Sequence, residues 1–368
     1  MPGPPSAIER PRDPIAAANH PDPYPYYREL LARRPLYRDE ALGLWVASSA
    51  GAVTAVLTSS RCRVRPPGEP VPRPLLGSAV GEIFGQLVRM NDGPAHAGLK
   101  PAVSQAVASF EAHRVGDETR RWAAHLAAEL RPATELARLA DFAFHLPVYV
   151  IAGLLGVPDP RLPSTVEAVD RFVGALAPGA TREAVERGAA AADRLLEAVG
   201  RGRDAMAANR VGFLSQAYEA TAGLVGNTVV ALARHPSARD APLGAVVREV
   251  ARYDAPVQNT RRFVAEPGDV GGQPMQDGDA ILVVLAAANH DAGANPAPER
   301  FEVRRRERRV FTFGVGVHAC PGETLASTIA ELGVRQLLDA GLEPDAGLDG
   351  LRYRASANTR VPLFGAVG

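Results

Sequence analysis

Residues 211–236, "VGFLSQAYEATAGLVGNTVVALARHP", are the longest apolar stretch at helical spacing in the chain. A surface helix buries one stripe and shows polar residues elsewhere. A helix apolar on most of its faces has to be enclosed on every side. The fold must therefore wrap other helices around this one. A chain of 368 residues, 46% of them apolar, can supply such a core. That length allows one large domain or two ordinary ones. No internal repeat, charged tail or Pro/Ser linker interrupts it, so a single domain over 1–368 is expected, with 1–20 flexible.

The surrounding sequence supports a mainly α fold with small β-sheets. Asp22 to Arg34 reads as a short helix, and "PLYRDEALGLWVAS" alternates like a pair of hairpin strands. "AGAVTAVLTSS" is helical, and the Pro/Gly-rich residues 63–83 read as a loop. From about 96 to 235 apolar residues recur at helical spacing, with breaks expected near Gly116, Pro132, Pro158, Pro178 and Arg201–Arg203. A helix over Leu243–Tyr253, small β segments such as "DAILVVLAAA", a coil around "NPAPERFEVRRRERRV" and a last helix from Cys320 to Ala340 complete the chain, with weak strand signals at its end. Formal net charge is zero, which argues against a protein held to nucleic acid by bulk charge. Two cysteines exclude a disulfide framework and suit a reducing, cytoplasmic setting. The Pro-rich N-terminus has no apolar segment for a signal peptide or a membrane span.

One of the two cysteines lies in "FTFGVGVHACPGETLA", Phe311 to Ala326. Gly314, Gly316 and Gly322 permit a tight backbone path and close approach to something flat or bulky. Cys320 stands just ahead of a helix, where backbone N–H groups favour a thiolate. A thiolate facing such donors, with Phe313 beside it, suits a sulfur-ligated haem iron. A buried structural cysteine is the plain alternative, and Cys62 is read that way. For Cys320 the pattern Phe313-Gly314-x-Gly316-x-His318-x-Cys320-x-Gly322, specified at six positions, decides otherwise.

On these residues the chain resembles the cytochrome P-450 family of haem-thiolate enzymes, in its soluble bacterial form. The resemblance implies that Cys320 is the axial ligand of haem b, iron protoporphyrin IX, and that His318 touches a propionate. "REVARY" places Glu249 and Arg252 at i, i+3 on one helix face. By the match of "NPAPERF" to the family's meander, Arg300 completes a Glu–Arg–Arg cluster. "MNDGPAHAGLK" resembles the helix over one haem edge, with His96 and Lys100 at i, i+4. Lys100, the only lysine in the chain, stands where arginine is usual. A lysine neutralises a propionate as a point charge rather than a fork. Arg262 in "NTRRFVAEPGD" matches another propionate-binding arginine. "DPYPYYRELLARRPLY", "GLWVAS" and "DFAFHLPVYVIAGLLGVP" also look like family sequence, so the resemblance covers nearly the whole chain.

The long apolar helix matches the one that crosses above the iron, and here the chain departs from the pattern. Glu219 matches the family's acid. Ala220 stands where an alcohol is expected, and Thr221 lies one position on, about 100° around the helix. The acid–alcohol pair normally positions a proton relay. Without the hydroxyl, more leakage to hydrogen peroxide is expected, unless a substrate group or water replaces it. Ala220 also suits an oxidation that needs less oxygen insertion, such as ring coupling, and a harmless variant is the plain alternative. The chain is short before this helix too, between "EAVGRGRDAMAAN" and Gly212, which suggests an open pocket for a bulky or carrier-held substrate.

By family analogy, substrate contacts fall on the loop near Leu75–Leu87, on Phe213, Ala217 and Tyr218, on the stretch Val257–Thr260 and on Asn358–Thr359, with Gln258, Asn259 and Asn358 offering polar contacts. No flavin or nicotinamide fingerprint is present, so the resemblance implies an external ferredoxin and ferredoxin reductase. "RRRERR", Arg304–Arg309, could be part of their docking patch or simply a solvated turn. Three functions are open. The first is a monooxygenase acting on a small organic, natural-product-type molecule. The second is a haem-thiolate oxidase forming C–C or C–heteroatom bonds. The third is a non-catalytic haem sensor, which the retained Glu219 argues against.

Overall fold

The computed structural model describes residues 9–200, 202–348 and 350–365. The long apolar stretch becomes helix α9, but the elements before it must be placed first. In chain order the first are α1 (Tyr24–Arg33), the strands β1 (Leu36–Asp39) and β2 (Leu44–Ala47), α2 (Ala50–Thr58) and β3 (Cys62–Arg63). Then come α3 (Ala79–Gln86), α4 (Gly93–Ala108), α5 (Ala112–Leu130), α6 (Leu139–Leu154), α7 (Leu162–Leu176), α8 (Arg182–Ala198) and α9 (Ala205–Arg234). They are followed by α10 (Leu243–Tyr253), β4 (Thr260–Val264), β5 (Gly268–Val270), β6 (Gln273–Met275), β7 (Ala280–Val283) and α11 (Leu285–Asn289). Helix α12 (Glu323–Asp339) and the short pair β8 (Arg352–Tyr353) and β9 (Pro362–Leu363) close the chain.

Helix α9 has 30 residues. Asp204 caps it by accepting from the Ala207 amide at 2.8 Å, and Pro236 prevents it from continuing. From Thr221 to Ala233 every residue is buried, with α6, α10 and α12 packed around it. This is the enclosure that its all-round apolar character requires. Two glycines let a further segment approach. A Cβ at Gly223 would lie 2.7 Å from the Arg360 carbonyl oxygen, and one at Gly226 would lie 2.5 Å from Pro362. Side chains there would push the C-terminal β8–β9 hairpin off the helix.

The main sheet runs in the order β1-β2-β7-β4-β3, with β2 and β7 parallel and the other neighbours antiparallel. Helix α6 lies within Leu136–Leu154, a stretch apolar and long enough to cross a membrane by composition. Here it is a core helix, with Phe142, Leu146 and Val150 fully buried.

Several boundaries differ from expectation. Gly116 does not break a helix: it is buried inside α5, and the break falls at 109–111. Helicity resumes at Ala79, inside the expected loop, because Ser78 accepts from the Gly81 amide and caps α3. "DAILVVLAAA" divides into β7 and the short helix α11. The last helix starts at Glu323 rather than Cys320, which leaves the cysteine in the loop. Of the stretch 1–20, residues 1–8 lie outside the described residues. The rest is tied down: Ala17 and Ala18 are fully buried, and the His20 carbonyl accepts from Arg360.

Candidate haem and oxygen-activation site

The cysteine loop is a string of turns. Gly314 and Gly316 have φ of 71° and 74°, a region costly for any residue with a Cβ. Gly322, at φ −96°, needs no such freedom. Its amide donates to Cys320 Sγ at 3.3 Å, while the Cys320 amide donates to the Phe313 carbonyl at 2.8 Å. The sulfur is therefore fixed, with one backbone donor aimed at it and one face exposed. Protein crowding pushes the thiol pKa up, against the pull of the Gly322 amide and Lys100. The Gly322 amide acts in the expected direction, favouring a thiolate, but burial outweighs it. Cys62 is buried in β3 as a structural residue.

Behind the loop, Asn289 on α11 accepts from the Phe311 amide at 2.6 Å and donates to Thr312 Oγ1 at 2.9 Å. Beside it lies the Glu–Arg–Arg cluster, with a corrected membership. Glu249 and Arg252 are completely buried, and Arg252 Nη2 meets Glu249 Oε1 at 2.6 Å. The third side chain is not Arg300. That residue is exposed, and only its carbonyl takes part, accepting from Arg252 at 3.0 Å. Arg308 Nε donates to Glu249 Oε2 at 2.8 Å instead, and Arg305 lies 3.7 Å from Oε1. Two arginines of "RRRERR" thus point inward, leaving Arg304, Arg306 and Arg309 exposed beside an exposed Glu307.

The four expected propionate ligands converge from three segments. His96 and Lys100 come from α4, Arg262 from β4 and His318 from the cysteine loop. The His96 and His318 rings are 4.3 Å apart, and Lys100 Nζ donates to the Ala319 carbonyl at 2.8 Å. A residue passed over in the sequence, Asp92, sits among them. It pairs with His318 Nε2 at 3.0 Å and accepts from the Val64 amide at 2.8 Å. Burial raises the Asp92 pKa, but these two bonds and the nearby Arg262 more than offset it, holding it below the usual range. His96, Lys100 and Arg262 are all pushed down, chiefly by burial. His96 Nε2 is buried with no hydrogen-bond partner. Four bases around one acid, with one ring nitrogen unsatisfied, fit a group that brings two carboxylates. Haem is such a group.

On α9 the residues Phe213, Ala217 and Ala220 share one face and are only partly covered by protein. Thr221 is 1% exposed and turned into the packing. Glu219 Oε2 accepts from Thr359 Oγ1 at 2.9 Å, and its Oε1 lies 3.8 Å from Arg354. Three expected substrate contacts are corrected. Tyr218 packs on Phe144 of α6 at 4.7 Å and donates to Asp170 of α7 at 3.0 Å. Gln258 is fully buried, accepting from Tyr27 at 2.7 Å and donating to the Ala255 carbonyl at 2.6 Å. Asn259 donates to the Ala357 carbonyl at 2.9 Å. Gln258 and Asn259 pin chain segments together, with both ends of the Gln258 amide and the Asn259 amide nitrogen engaged. Asn358 is exposed, with its carbonyl accepting from the Gln258 amide at 2.8 Å.

Comparison with known proteins agrees with this geometry. The family model described as Cytochrome P450 matches residues 242–340, the segment from α10 through α12. The chain is 29% identical to the 6-deoxyerythronolide B hydroxylase of Saccharopolyspora erythraea, over 90% of this chain and 91% of that protein. It is 28% identical to the cytochrome P450 monooxygenase PikC of Streptomyces venezuelae (89% and 85% covered) and 26% identical to the biotin biosynthesis cytochrome P450 of Bacillus subtilis (94% and 93%). Among solved structures, CalO2 superposes with a TM-score of 0.78 at 25% identity, over 94% of this chain and 97% of that one. P450BioI, solved in complex with hexadec-9Z-enoic acid ligated acyl carrier protein, superposes with a TM-score of 0.76 at 24% identity, over 93% and 96%. In sequence and in fold the chain is thus similar, over about nine-tenths of its length, to bacterial cytochrome P450s named as monooxygenases and hydroxylases, which makes it an oxidoreductase for which a haem cofactor is implied.

Proposed function

We propose that the protein is a monooxygenase that activates dioxygen at haem b ligated by Cys320 and oxidises a small organic molecule of natural-product type. The observation that carries this reading is the joint placement of the exposed Cys320 sulfur and a four-base cluster containing an unsatisfied, buried His96 nitrogen. When bound, the haem supplies the redox chemistry of oxygen activation. The chain's own residues do the rest. The Gly322 amide tempers the sulfur's charge by hydrogen bonding. His96, Lys100, Arg262 and His318 hold the two carboxylates, and Asp92 keeps His318 oriented. Glu219 holds and releases protons above the site. The half-covered face of Phe213, Ala217 and Ala220 meets the substrate.

A single domain spanning 1–368, a cytoplasmic setting and reduction by a ferredoxin with its reductase complete the proposal. The exposed Arg304, Arg306 and Arg309 offer an acidic ferredoxin part of a docking surface. A carrier-held substrate is in keeping with the similarity to P450BioI, whose fatty acid is ligated to acyl carrier protein. The test is Cys320→Ser. Loss of the pigment, or of the thiolate-type carbon monoxide spectrum, is expected, and a spectrum like that of the unaltered protein would refute the reading. Ala220 favours a second reading, oxidative coupling without oxygen insertion. Turnover under labelled dioxygen separates the two, since only a monooxygenase leaves label in the product.

A further inference from the structure

The hydroxyl missing at position 220 is present beside the same carboxylate, delivered from the other end of the chain. Thr359 Oγ1 donates to Glu219 Oε2 at 2.9 Å across 140 residues of sequence. The Ser356 hydroxyl lies 2.7 Å behind it. Thr359 has one hydroxyl hydrogen and gives it to the carboxylate, so the hydrogen between the two hydroxyls comes from Ser356. Ser356 Oγ in turn accepts from the Thr359 amide at 3.1 Å. Ser356 is half-exposed, Thr359 is 5% exposed and the Glu219 side chain 19%, so the row of oxygens runs from solvent through a buried hydroxyl to a carboxylate with an open face of its own.

The loop carrying these hydroxyls is held on both sides. The Arg360 amide donates to the Pro256 carbonyl at 2.9 Å, the Gln258 amide to the Asn358 carbonyl at 2.8 Å and Asn259 Nδ2 to the Ala357 carbonyl at 2.9 Å. Gly223 lets the same loop lie directly against α9. The two polar residues expected to touch substrate thus fix the loop instead. Such pre-organisation is what a proton-transfer row needs, since each oxygen must stay within hydrogen-bond reach of the next.

We infer that Ser356, Thr359 and Glu219 form a proton relay that replaces the helix alcohol in this chain. A hydronium ion at the surface gives a proton to Ser356 Oγ and leaves as water, while the hydrogen Ser356 already carries passes to Thr359. The Thr359 hydrogen passes to the Glu219 carboxylate. One proton enters, one O–H bond forms for each that breaks, and nothing is oxidised. The inference rests on the acid role proposed for Glu219.

The test uses holoenzyme with plant-type ferredoxin, its reductase and NADPH, without substrate. Thr359→Val, Thr359→Ser, Ser356→Ala and Glu219→Gln are compared. In Thr359→Val and Ser356→Ala the NADPH oxidation rate should fall about tenfold, less than the roughly 100-fold expected for loss of the acid, because water partly replaces a hydroxyl. The share of electrons recovered as hydrogen peroxide should rise, and a rate curved against deuterium fraction should become linear. Thr359→Ser should behave as wild type. As a readout apart from turnover, the infrared stretch of carbon monoxide on the reduced haem should move the same way in Thr359→Val and Glu219→Gln and stay put in Thr359→Ser. If Glu219→Gln changes every reading while Thr359→Val and Ser356→Ala match wild type, the relay is wrong and the acid role stands. If Glu219→Gln also matches wild type, both fall. Should Thr359→Val fail to fold, Ser356→Ala decides.

Discussion

Replacing Arg308 by alanine separates what sequence pattern suggests from what the structure places in the cluster. Glu249 has no exposed surface, and one of its two oxygens is held by Arg308 at 2.8 Å. Removing that guanidinium leaves a buried carboxylate oxygen short of its main partner. Arg252 and the Glu302 amide still hold the other oxygen, so the charge stays paired, and the cost is that of one unsatisfied buried acceptor, about 1–3 kcal/mol. With an unfolding entropy of about 2.1 cal/mol/K per residue, a loss of that size lowers the Tm of a chain this long by about 1–4 °C. Arg300→Ala is the control. Its exposed side chain has no part in the cluster and its carbonyl survives the change, so its cost should stay within about 0.5 kcal/mol. Arg308→Lys should fall between, restoring charge without the fork. Differential scanning fluorimetry of the three variants, with pigment retained on gel filtration as a second measure, gives the comparison. A loss at Arg300 equal to that at Arg308, or an Arg308→Ala Tm within a degree of wild type, would refute the reasoning.

Further outcomes concern the loop and a buried histidine. Gly314→Ala and Gly316→Ala should each cost about 1–2 kcal/mol, because both residues sit at positive φ. Gly322→Ala should cost far less, since its φ is ordinary and its Cβ would meet only the cysteine sulfur at 3.7 Å; equal Tm losses at the three positions would contradict this. Burial drives the His290 pKa down to about 4, so the folded protein resists its protonation. Stability from this group is present above the unfolded pKa of about 6.5 and is lost as pH falls toward 4, to the order of 3 kcal/mol. Urea midpoints at pH 7, 5.5 and 4.5 should therefore fall more steeply for wild type than for His290→Gln. Parallel slopes would show that His290 does not titrate as its burial requires.

Much of the site could be read from local pattern, because local pattern is where its physics lies. The glycines that must adopt positive φ, the cysteine two residues ahead of an amide donor, and Glu249 and Arg252 one helical turn apart are all set by neighbours in the chain. The α10 helix starts and stops where its apolar period does. Partners chosen at long range were not legible. Nothing in "RRRERR" distinguishes the inward Arg305 and Arg308 from the outward Arg304 and Arg306, since that depends on where Glu249 lies after folding. Gln258 and Asn259 carry polar tips suited to a ligand, and only folding shows the Gln258 tip spent on Tyr27 and Ala255 and the Asn259 amide nitrogen on Ala357.

The sequence by itself determined that a fully apolar helix must be enclosed and that a glycine-lined loop must present Cys320. Both follow from backbone sterics and from the cost of exposing apolar surface, which a short window of residues already specifies. Only the tertiary structure decided that Arg308 rather than Arg300 neutralises Glu249, and that a hydroxyl from Thr359 reaches the acid on α9. Hydrogen bonds act over about 3 Å in space whatever the separation along the chain. Which groups come within that distance is settled when the layers pack.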